Sequence, residues 1–218
     1  MKTINTEGIT YIQLVPSGTA EWYYGLSYEH GDIYEAEEIF RAGHAVEGRN
    51  LILIHYPDGT VYRPIEKRPS EYCTEPVYLD GKIYILNVDF NNSRIQILRF
   101  GCEDHQTEIY QELPLNAVKD CYNLALITSP LTLTRQNASE QKLDIIWPEH
   151  LSIPMEPHDS FFLRDGDRLF FNRWYEEGEG ISYRYWEETV IRSLDGEIKE
   201  ILPGDVMRMP DGELWHLS

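Results

Sequence analysis

The chain has 218 residues and lacks the features of a membrane or secreted protein. No run of about 18 apolar residues, the length of a membrane-spanning helix, occurs in it. The N-terminal segment MKTINTEGITYIQLV has no apolar stretch of the kind that a secretory signal needs. Three cysteines are present, Cys73, Cys102 and Cys121, and none has C-x-x-C spacing. An odd number without that spacing fits neither a disulfide framework nor a zinc site, so we predict free thiols and a cytoplasmic protein.

Positive charge is scarce. The chain has 19 Lys and Arg against 37 Asp and Glu, which gives a formal net charge of −18. Nucleic acids and anionic lipid surfaces are bound through clustered basic side chains that neutralise phosphates. We therefore predict a protein that binds neither nucleic acid nor membranes.

Recognisable catalytic and metal-binding motifs are also missing. The seven histidines form neither H-E-x-x-H nor H-x-H, the spacings typical of zinc sites. The acidic loops lack the D-x-D-x-D-G spacing of a calcium loop, and no P-loop or G-x-G-x-x-G occurs. We predict no metal and no cofactor, and we favour a non-enzymatic role.

The sequence is rich in strand and turn signals. Residues 77–90 read VYLDGKIYILNVDF, two β-rich runs separated by Asp80-Gly81, which is the signature of a type I′ hairpin. Further turn pairs are Asp58-Gly59, Asp165-Gly166, Asp195-Gly196, Asp211-Gly212, His30-Gly31, Asn91-Asn92 and Pro203-Gly204. Helical periodicity is confined to two short stretches, 34–41 and 115–124. The pattern predicts an all-β chain of short antiparallel strands, with consecutive strands over 77–100.

Several of these hairpins are alike. The segment LDGKIY at 79–84 has relatives at 163–170 and 209–215, and the later apolar segments begin about 40 to 45 residues apart, the length of a four-stranded blade. The hairpins resemble those of kelch-like and other β-propeller repeats, although the kelch Gly-Gly pair and the Trp-Asp signature are absent. The resemblance implies a small β-propeller-like array of about five antiparallel blades in a single all-β domain, 1–218. A Greek-key sandwich or barrel is the alternative.

Six apolar segments end in a polar residue at their fifth position. In a propeller, residues at equivalent strand ends converge on one end of the channel, where they could hold a small polar or anionic ligand. The planar fork of Arg173 could clamp a carboxylate or phosphate, with Trp174 as a stacking wall. A surface pair of Arg173 with Glu176 or Glu177 is the alternative. The predicted ligand-binding residues are Arg173, His55, Asn87, Thr128 and Trp174.

Aromatic residues form two clusters in the sequence, 22–24 and 174–186. In alternating strands such residues mostly pack across strands, but exposed rings beside carboxylates can also stack on sugars or anchor a protein partner. We therefore predict a soluble binding or interaction module whose partner is a small polar molecule or a protein. The alternative is a carbohydrate-active enzyme that uses carboxylates at a channel mouth.

Overall fold

A computed structural model describes residues 1–28 and 31–218. Strands make up 50% of the chain and helices 7%, which confirms the predicted all-β class. The chain divides into two compact units, Met1–Cys121 and Tyr122–Ser218. In the described ranges, no helix combines the length and the apolar character that crossing a bilayer requires.

The first sheet of unit 1 is an up-and-down meander of β1 to β4. Its strands are β1 (Ile12–Leu14), β2 (Trp22–Leu26), β3 (Leu51–His55) and β4 (Thr60–Tyr62). Helix α1 (Ile33–Arg41) lies between β2 and β3 in sequence and confirms the predicted helical stretch 34–41. It begins with a capping box: Glu35 N donates to Asp32 Oδ1 at 2.8 Å and Asp32 N donates to Glu35 Oε2 at 3.0 Å, which satisfies two free donors of the first turn.

The second sheet of unit 1 confirms the predicted strands over 77–100. It contains β5 (Glu71–Cys73), β6 (Val77–Leu79), β7 (Lys82–Asp89), β8 (Arg94–Gly101) and β9 (Thr107–Pro114). The order is β5-β7-β8-β9, and β6 also pairs with β7. Asp80 and Gly81 both have positive φ, 48° and 73°, as a type I′ turn requires. Of the second helical stretch only a 3₁₀ turn, Leu115–Ala117, forms.

Unit 2 contains two four-stranded meanders and a two-stranded ribbon. The first meander comprises β10 (Leu124–Ile127), β11 (Thr132–Asn137), β12 (Lys142–Trp147) and β13 (Leu151–Pro154). The second comprises β14 (Asp159–Asp165), β15 (Arg168–Glu177), β16 (Arg184–Ser193) and β17 (Ile198–Pro203), with a 3₁₀ turn at Gly180–Ser182 between β15 and β16. The ribbon is β18 (Asp205–Arg208) with β19 (Leu214–Leu217).

Each unit has its own apolar core. In unit 1, alternate residues of neighbouring strands, among them Trp22, Leu53, Ile85 and Phe100, are buried together. In unit 2, Phe161, Phe171 and Val190 pack against the inward face of β12 and β13. Burying one such side chain stabilises the fold by about 1.5–3 kcal/mol relative to exposing it. The alternating apolar residues that indicate strands in the sequence therefore also stabilise each unit.

The predicted all-β class and small antiparallel blades are therefore confirmed: in the described residues each unit contains two blade-type sheets, four in all against about five predicted. The phase of the predicted repeat is wrong for its first two segments. Residues 23–27 and 51–55 belong to neighbouring strands of one sheet, where Tyr24 pairs with Leu53. Helix α1 lies between these partner strands in sequence, so the two segments begin about 30 residues apart, closer than the later segments. The single domain over 1–218 stays a prediction, and the predicted turn at His30-Gly31 falls partly outside the described residues.

Candidate functional site

A polar pocket of about 260 Å³ lies at one end of strands β7, β8 and β9 in unit 1. It is lined by Lys82, Arg99, Gly101, Asp104, Gln106 and Glu108. The strand register explains its composition, because Lys82 pairs with Gly101 and Arg99 pairs with Glu108. Side chains of directly opposite residues project from the same face. The missing side chain at Gly101 leaves room that the Asp104 carboxylate occupies.

Gly101 allows the Asp104 carboxylate to approach the backbone closely. A Cβ there would lie 2.1 Å from Asp104 Oδ1, far inside van der Waals contact. The Asp104 carboxylate is held in this place by the turn between β8 and β9, since Gln106 N donates to Asp104 Oδ1 at 3.1 Å and His105 N donates to Gly101 O at 2.8 Å. The turn thus fixes one carboxylate at the wall of the pocket.

The charges that line the pocket differ in how they are paired. Arg99 Nε donates to Glu108 Oε1 at 2.9 Å, and this hydrogen bond is the main cause that raises the pKa of Arg99. The Lys82 ammonium, by contrast, forms no side-chain hydrogen bond or ion pair with a described residue, although its charge acts to lower the pKa of Cys102, and Asp104 has no cationic ion-pair partner among the described residues. The lining therefore carries two positive and two negative groups and is neutral, within a chain of net charge −18.

His105, in the turn that carries Asp104, belongs to a ring cluster with Trp22, His55, Tyr62 and Phe100. The His105 ring stacks on Tyr62 with centroids 4.4 Å apart, and His55 lies 4.9 Å from Trp22. Trp22 itself is only 3% exposed. The imidazoles therefore cover a buried indole, and the ring cluster braces the turn beside the pocket.

His55, a predicted ligand residue, forms a dyad with a carboxylate. Its Nδ1 lies 2.8 Å from Asp58 Oδ2. The pKa of Asp58 is lowered to about 2, first by the hydrogen bond from Thr60 N and next by the hydrogen bond with His55. The dyad joins the end of β3 to the turn before β4 and lies at the surface, with the His55 side chain 27% exposed.

Asn87, the second predicted ligand residue in unit 1, is buried in a row of polar side chains. Asn87 Nδ2 lies 3.3 Å from Glu71 Oε2 and 3.3 Å from Gln96 Oε1, and Gln96 Nε2 donates to Glu112 Oε2 at 3.0 Å. The row crosses β5, β7, β8 and β9. Its hydrogen bonds explain why a polar residue follows the apolar run at this position, since buried polar groups need partners.

In unit 2, Arg173 is bound by a carboxylate of its own chain. Arg173 Nε and Nη2 contact Asp159 Oδ1 and Oδ2 at 2.5 and 3.1 Å, and Arg192 Nη2 contacts Asp159 Oδ2 at 2.8 Å. The hydrogen bonds between Arg173 and Asp159 are the first cause that raises the pKa of Arg173. The partner is thus neither Glu176 nor Glu177, because strand register places Asp159 directly opposite Arg173.

Trp174 and Thr128 have different surroundings. The Trp174 ring meets His158 edge to face with centroids 4.0 Å apart. Thr128 is buried, and its Oγ1 has no hydrogen-bond partner among the described residues. His55 and Asn87 thus belong to unit 1, and Arg173, Trp174 and Thr128 to unit 2. A ligand shared by these residues stays a prediction.

The predicted site residues do not include those of the pocket, although one signal for the pocket exists in the sequence. Counting outward from the turn at Asn91-Asn92 places Lys82 opposite Gly101, which is the observed register. A lysine across from a glycine at a sheet end indicates an open polar position. The role of Asp104 depends on the shape of the turn, which no periodicity encodes.

Neither a metal-ligand cluster among the described residues nor a similar known protein assigns a role to the pocket. Across residues 1–28 and 31–218, no three His, Cys, Asp or Glu side chains are grouped so that they could hold a metal ion. No protein-family model matches the chain, and no curated protein is similar to it at a significant level.

Proposed function

We propose that the protein is a binding module that holds a small polar molecule with both a negative and a positive group. The observation that carries the proposal is the presence of Lys82 and Asp104 in the wall of one pocket, neither of which forms a side-chain ion pair with a described residue. A zwitterion satisfies both charges at once. The neutral lining within a strongly acidic chain favours such a ligand over a cation alone.

The recognition chemistry follows from the groups present. The Lys82 ammonium offers three donors to a ligand carboxylate or phosphate, and the Asp104 carboxylate accepts from a ligand ammonium. The Gln106 amide adds a donor and an acceptor. Glu108 is held in place by Arg99, so part of the wall is organised before a ligand arrives, which lowers the entropic cost of binding. The volume lies below the roughly 300–1,000 Å³ of drug-sized sites, so we infer a ligand of metabolite size.

The test uses the full chain and a panel of free amino acids, with inorganic phosphate and putrescine as purely anionic and cationic comparisons. Binding is measured by the ligand-dependent rise in Tm and then by calorimetry. Lys82→Met and Asp104→Asn are each expected to weaken zwitterion binding at least tenfold. Lys199→Met removes the same charge from an exposed site in unit 2 and serves as the matched control. A panel without any binder, or binding that neither pocket variant weakens, would overturn the proposal.

A carbohydrate-active enzyme remains the second candidate, because Asp104 and Glu108 line the same pocket. Glycoside hydrolysis needs two carboxylates on opposite sides of the scissile bond. The ion pair of Glu108 with Arg99 favours the binding role. Hydrolysis of chromogenic glycosides by the native chain, lost in both Asp104→Asn and Glu108→Gln, would favour the enzyme instead.

We further propose that the protein acts in the cytoplasm and belongs to the propeller superfamily. Its three cysteines are free thiols, which is usual in reducing compartments. Its blade-type meanders support the superfamily assignment. The excess of 18 negative charges opposes binding to nucleic acid and to anionic membranes.

A further inference from the structure

The hairpin formed by β15 and β16 extends beyond the sheet that it belongs to. Strand β14 pairs with β15 only as far as Arg173, and β17 pairs with β16 only from Glu188 onward. Residues 174–177 and 184–187 pair with each other. Gly204 N, just before β18, donates to Glu187 O at 3.0 Å. We call residues 174–187 the hairpin extension.

The hairpin extension exposes a high density of large apolar side chains. Residues 181–186 are all exposed, and among them Tyr183 is 51%, Tyr185 52% and Trp186 41% exposed. Exposed apolar patches on soluble proteins commonly mark interaction sites. A two-stranded ribbon is also marginally stable by itself, so a partner would stabilise this one.

The two faces of the hairpin extension differ in whether their charged side chains have partners of opposite charge on the same face. On one face Tyr175 stacks on Trp186 with centroids 5.1 Å apart and an interplanar angle of 11°, and Glu177 is paired in register with Arg184. This face therefore contains its own aromatic stack and a residue pair of opposite charge.

The other face combines aromatic rings with uncompensated carboxylates. In register, Trp174 lies opposite Glu187 and Glu176 lies opposite Tyr185. Tyr183 Oη donates to Glu176 Oε2 at 3.1 Å, and Tyr185 Oη donates to Glu187. We call these five residues, Trp174, Glu176, Tyr183, Tyr185 and Glu187, the acidic aromatic face. It carries two carboxylates and no Lys or Arg, and the His158 ring lies against its Trp174.

We propose that the acidic aromatic face docks a Lys- and Arg-rich segment of a partner protein. A guanidinium or ammonium group over a Tyr or Trp ring gains cation–π attraction, and carboxylates beside the ring add charge-assisted hydrogen bonds. The hydroxyl bonds to Glu176 and Glu187 hold rings and carboxylates in fixed positions, so little side-chain entropy remains to be lost on binding.

The negative charge of the face favours a basic protein segment over a second copy of the chain, a nucleic acid or an anionic lipid. A second copy of the chain would bring the same acidic aromatic face and the same net charge of −18, and like charges across an interface are unfavourable. Nucleic acids and anionic lipids carry the same sign. The face lies in unit 2 and shares no residue with the pocket of unit 1, so the inference stands independently of the proposed ligand.

The test measures fluorescence anisotropy of a labelled ten-residue peptide of alternating Arg and Gly, titrated with the full chain at 0.15 M salt. The double variant E176Q/E187Q is expected to weaken binding at least tenfold, and Tyr185→Ser several-fold. The matched control is E47Q/E200Q, which removes two charges from exposed positions outside the face and is expected to change the affinity less than twofold. Near-UV circular dichroism verifies that each variant is folded.

Three results would overturn the inference. Equal weakening by the two double variants would indicate general electrostatic attraction. Absence of peptide binding by the native chain would rule out a Lys- and Arg-rich segment as the partner. Concentration-dependent dimerisation that Tyr185→Ser abolishes, measured by sedimentation, would assign the face to a second copy.

Discussion

Arg173 shows what the sequence can and cannot predict about a single residue. Arg173 was identified as a fork for a carboxylate, and it does bind one, but the carboxylate is Asp159 of the same unit. Glu176 and Glu177 are plausible ion-pair partners from the sequence only because they are close to Arg173 along the chain. The true partner is set by antiparallel register, and Arg192 joins from the next strand. Such pairings depend on which strands meet, which a local pattern does not specify.

We predict that Asp159→Asn strongly destabilises the protein. The Asp159 side chain is fully buried between Arg173 and Arg192, so the substitution leaves two buried guanidinium groups without their counter-charge. Breaking a buried ion pair in this way costs about 3–5 kcal/mol, measured as the free energy of unfolding in urea. Glu200→Gln, at an exposed position of β17, should stay within about 0.5 kcal/mol of the native value. A loss below about 1 kcal/mol for Asp159→Asn would contradict this account.

We predict that the thiols react slowly at neutral pH. Burial is the first cause that raises the pKa of Cys102 from 9.0 to about 11, and Cys73 and Cys121 are buried. The thiolate is the nucleophile, so the iodoacetamide rate at Cys102 should rise about tenfold per pH unit from 7 to 9, as mass spectrometry would measure. The raised pKa also means that this group stabilises the fold below pH 9 and loses that contribution between about 9 and 11. Labelling at pH 7 as fast as in urea would count against it.

At the scale of elements, turn chemistry was the strongest predictor. Each of the five Asp-Gly pairs, at 58, 80, 165, 195 and 211, connects two successive strands. Only Asp80-Gly81 has positive φ at both residues; at Gly59, Gly166, Gly196 and Gly212 the glycine alone does. The residue pair thus predicted where the chain turns but not which turn type it adopts, because flanking residues decide the loop length.

We predict that Asp32→Ala destabilises unit 1 by about 1 kcal/mol, within the range of about 0.5–2 kcal/mol for a lost N-cap. Asp32 Oδ1 accepts from Glu35 N, and alanine leaves this donor without its partner. Asp32→Asn keeps an acceptor oxygen and should cost much less. Urea unfolding of the two variants, compared with the native chain, measures the difference. Equal losses would mean that the charge at the helix N-terminus matters and the hydrogen bond does not.

At the scale of the whole molecule, the class of fold was predictable and the grouping of strands was not. Alternation and turns gave the all-β class and the blade-type hairpins, since both are encoded within about ten residues. The number of blades depended on the spacing of segments, and α1 distorted that spacing by separating β2 from its partner β3. The pocket illustrates the same limit: the register of β7 with β8 was countable, whereas the position of Asp104 depends on a turn that brings it against Gly101.

We predict that salt stabilises the protein at pH 7. With 37 acidic and 19 basic residues, carboxylates outnumber cations, and the repulsion among the carboxylates opposes the compact state. The screening length falls from about 30 Å at 0.01 M to about 8 Å at 0.15 M, which removes most of this repulsion. Exposed ion pairs such as Arg94–Glu112 are weakened too, but each is worth only about 0–1 kcal/mol.

Calorimetry in 0.01 and 0.3 M NaCl should therefore show a rise in Tm. A gain of about 1 kcal/mol corresponds to roughly 2–4 °C for a chain of this size. The same salt series near pH 4.7, the isoelectric point, is the control, because positive and negative charges balance there and the rise should vanish. A fall in Tm at pH 7 would mean that the surface ion pairs outweigh the repulsion among unpaired carboxylates.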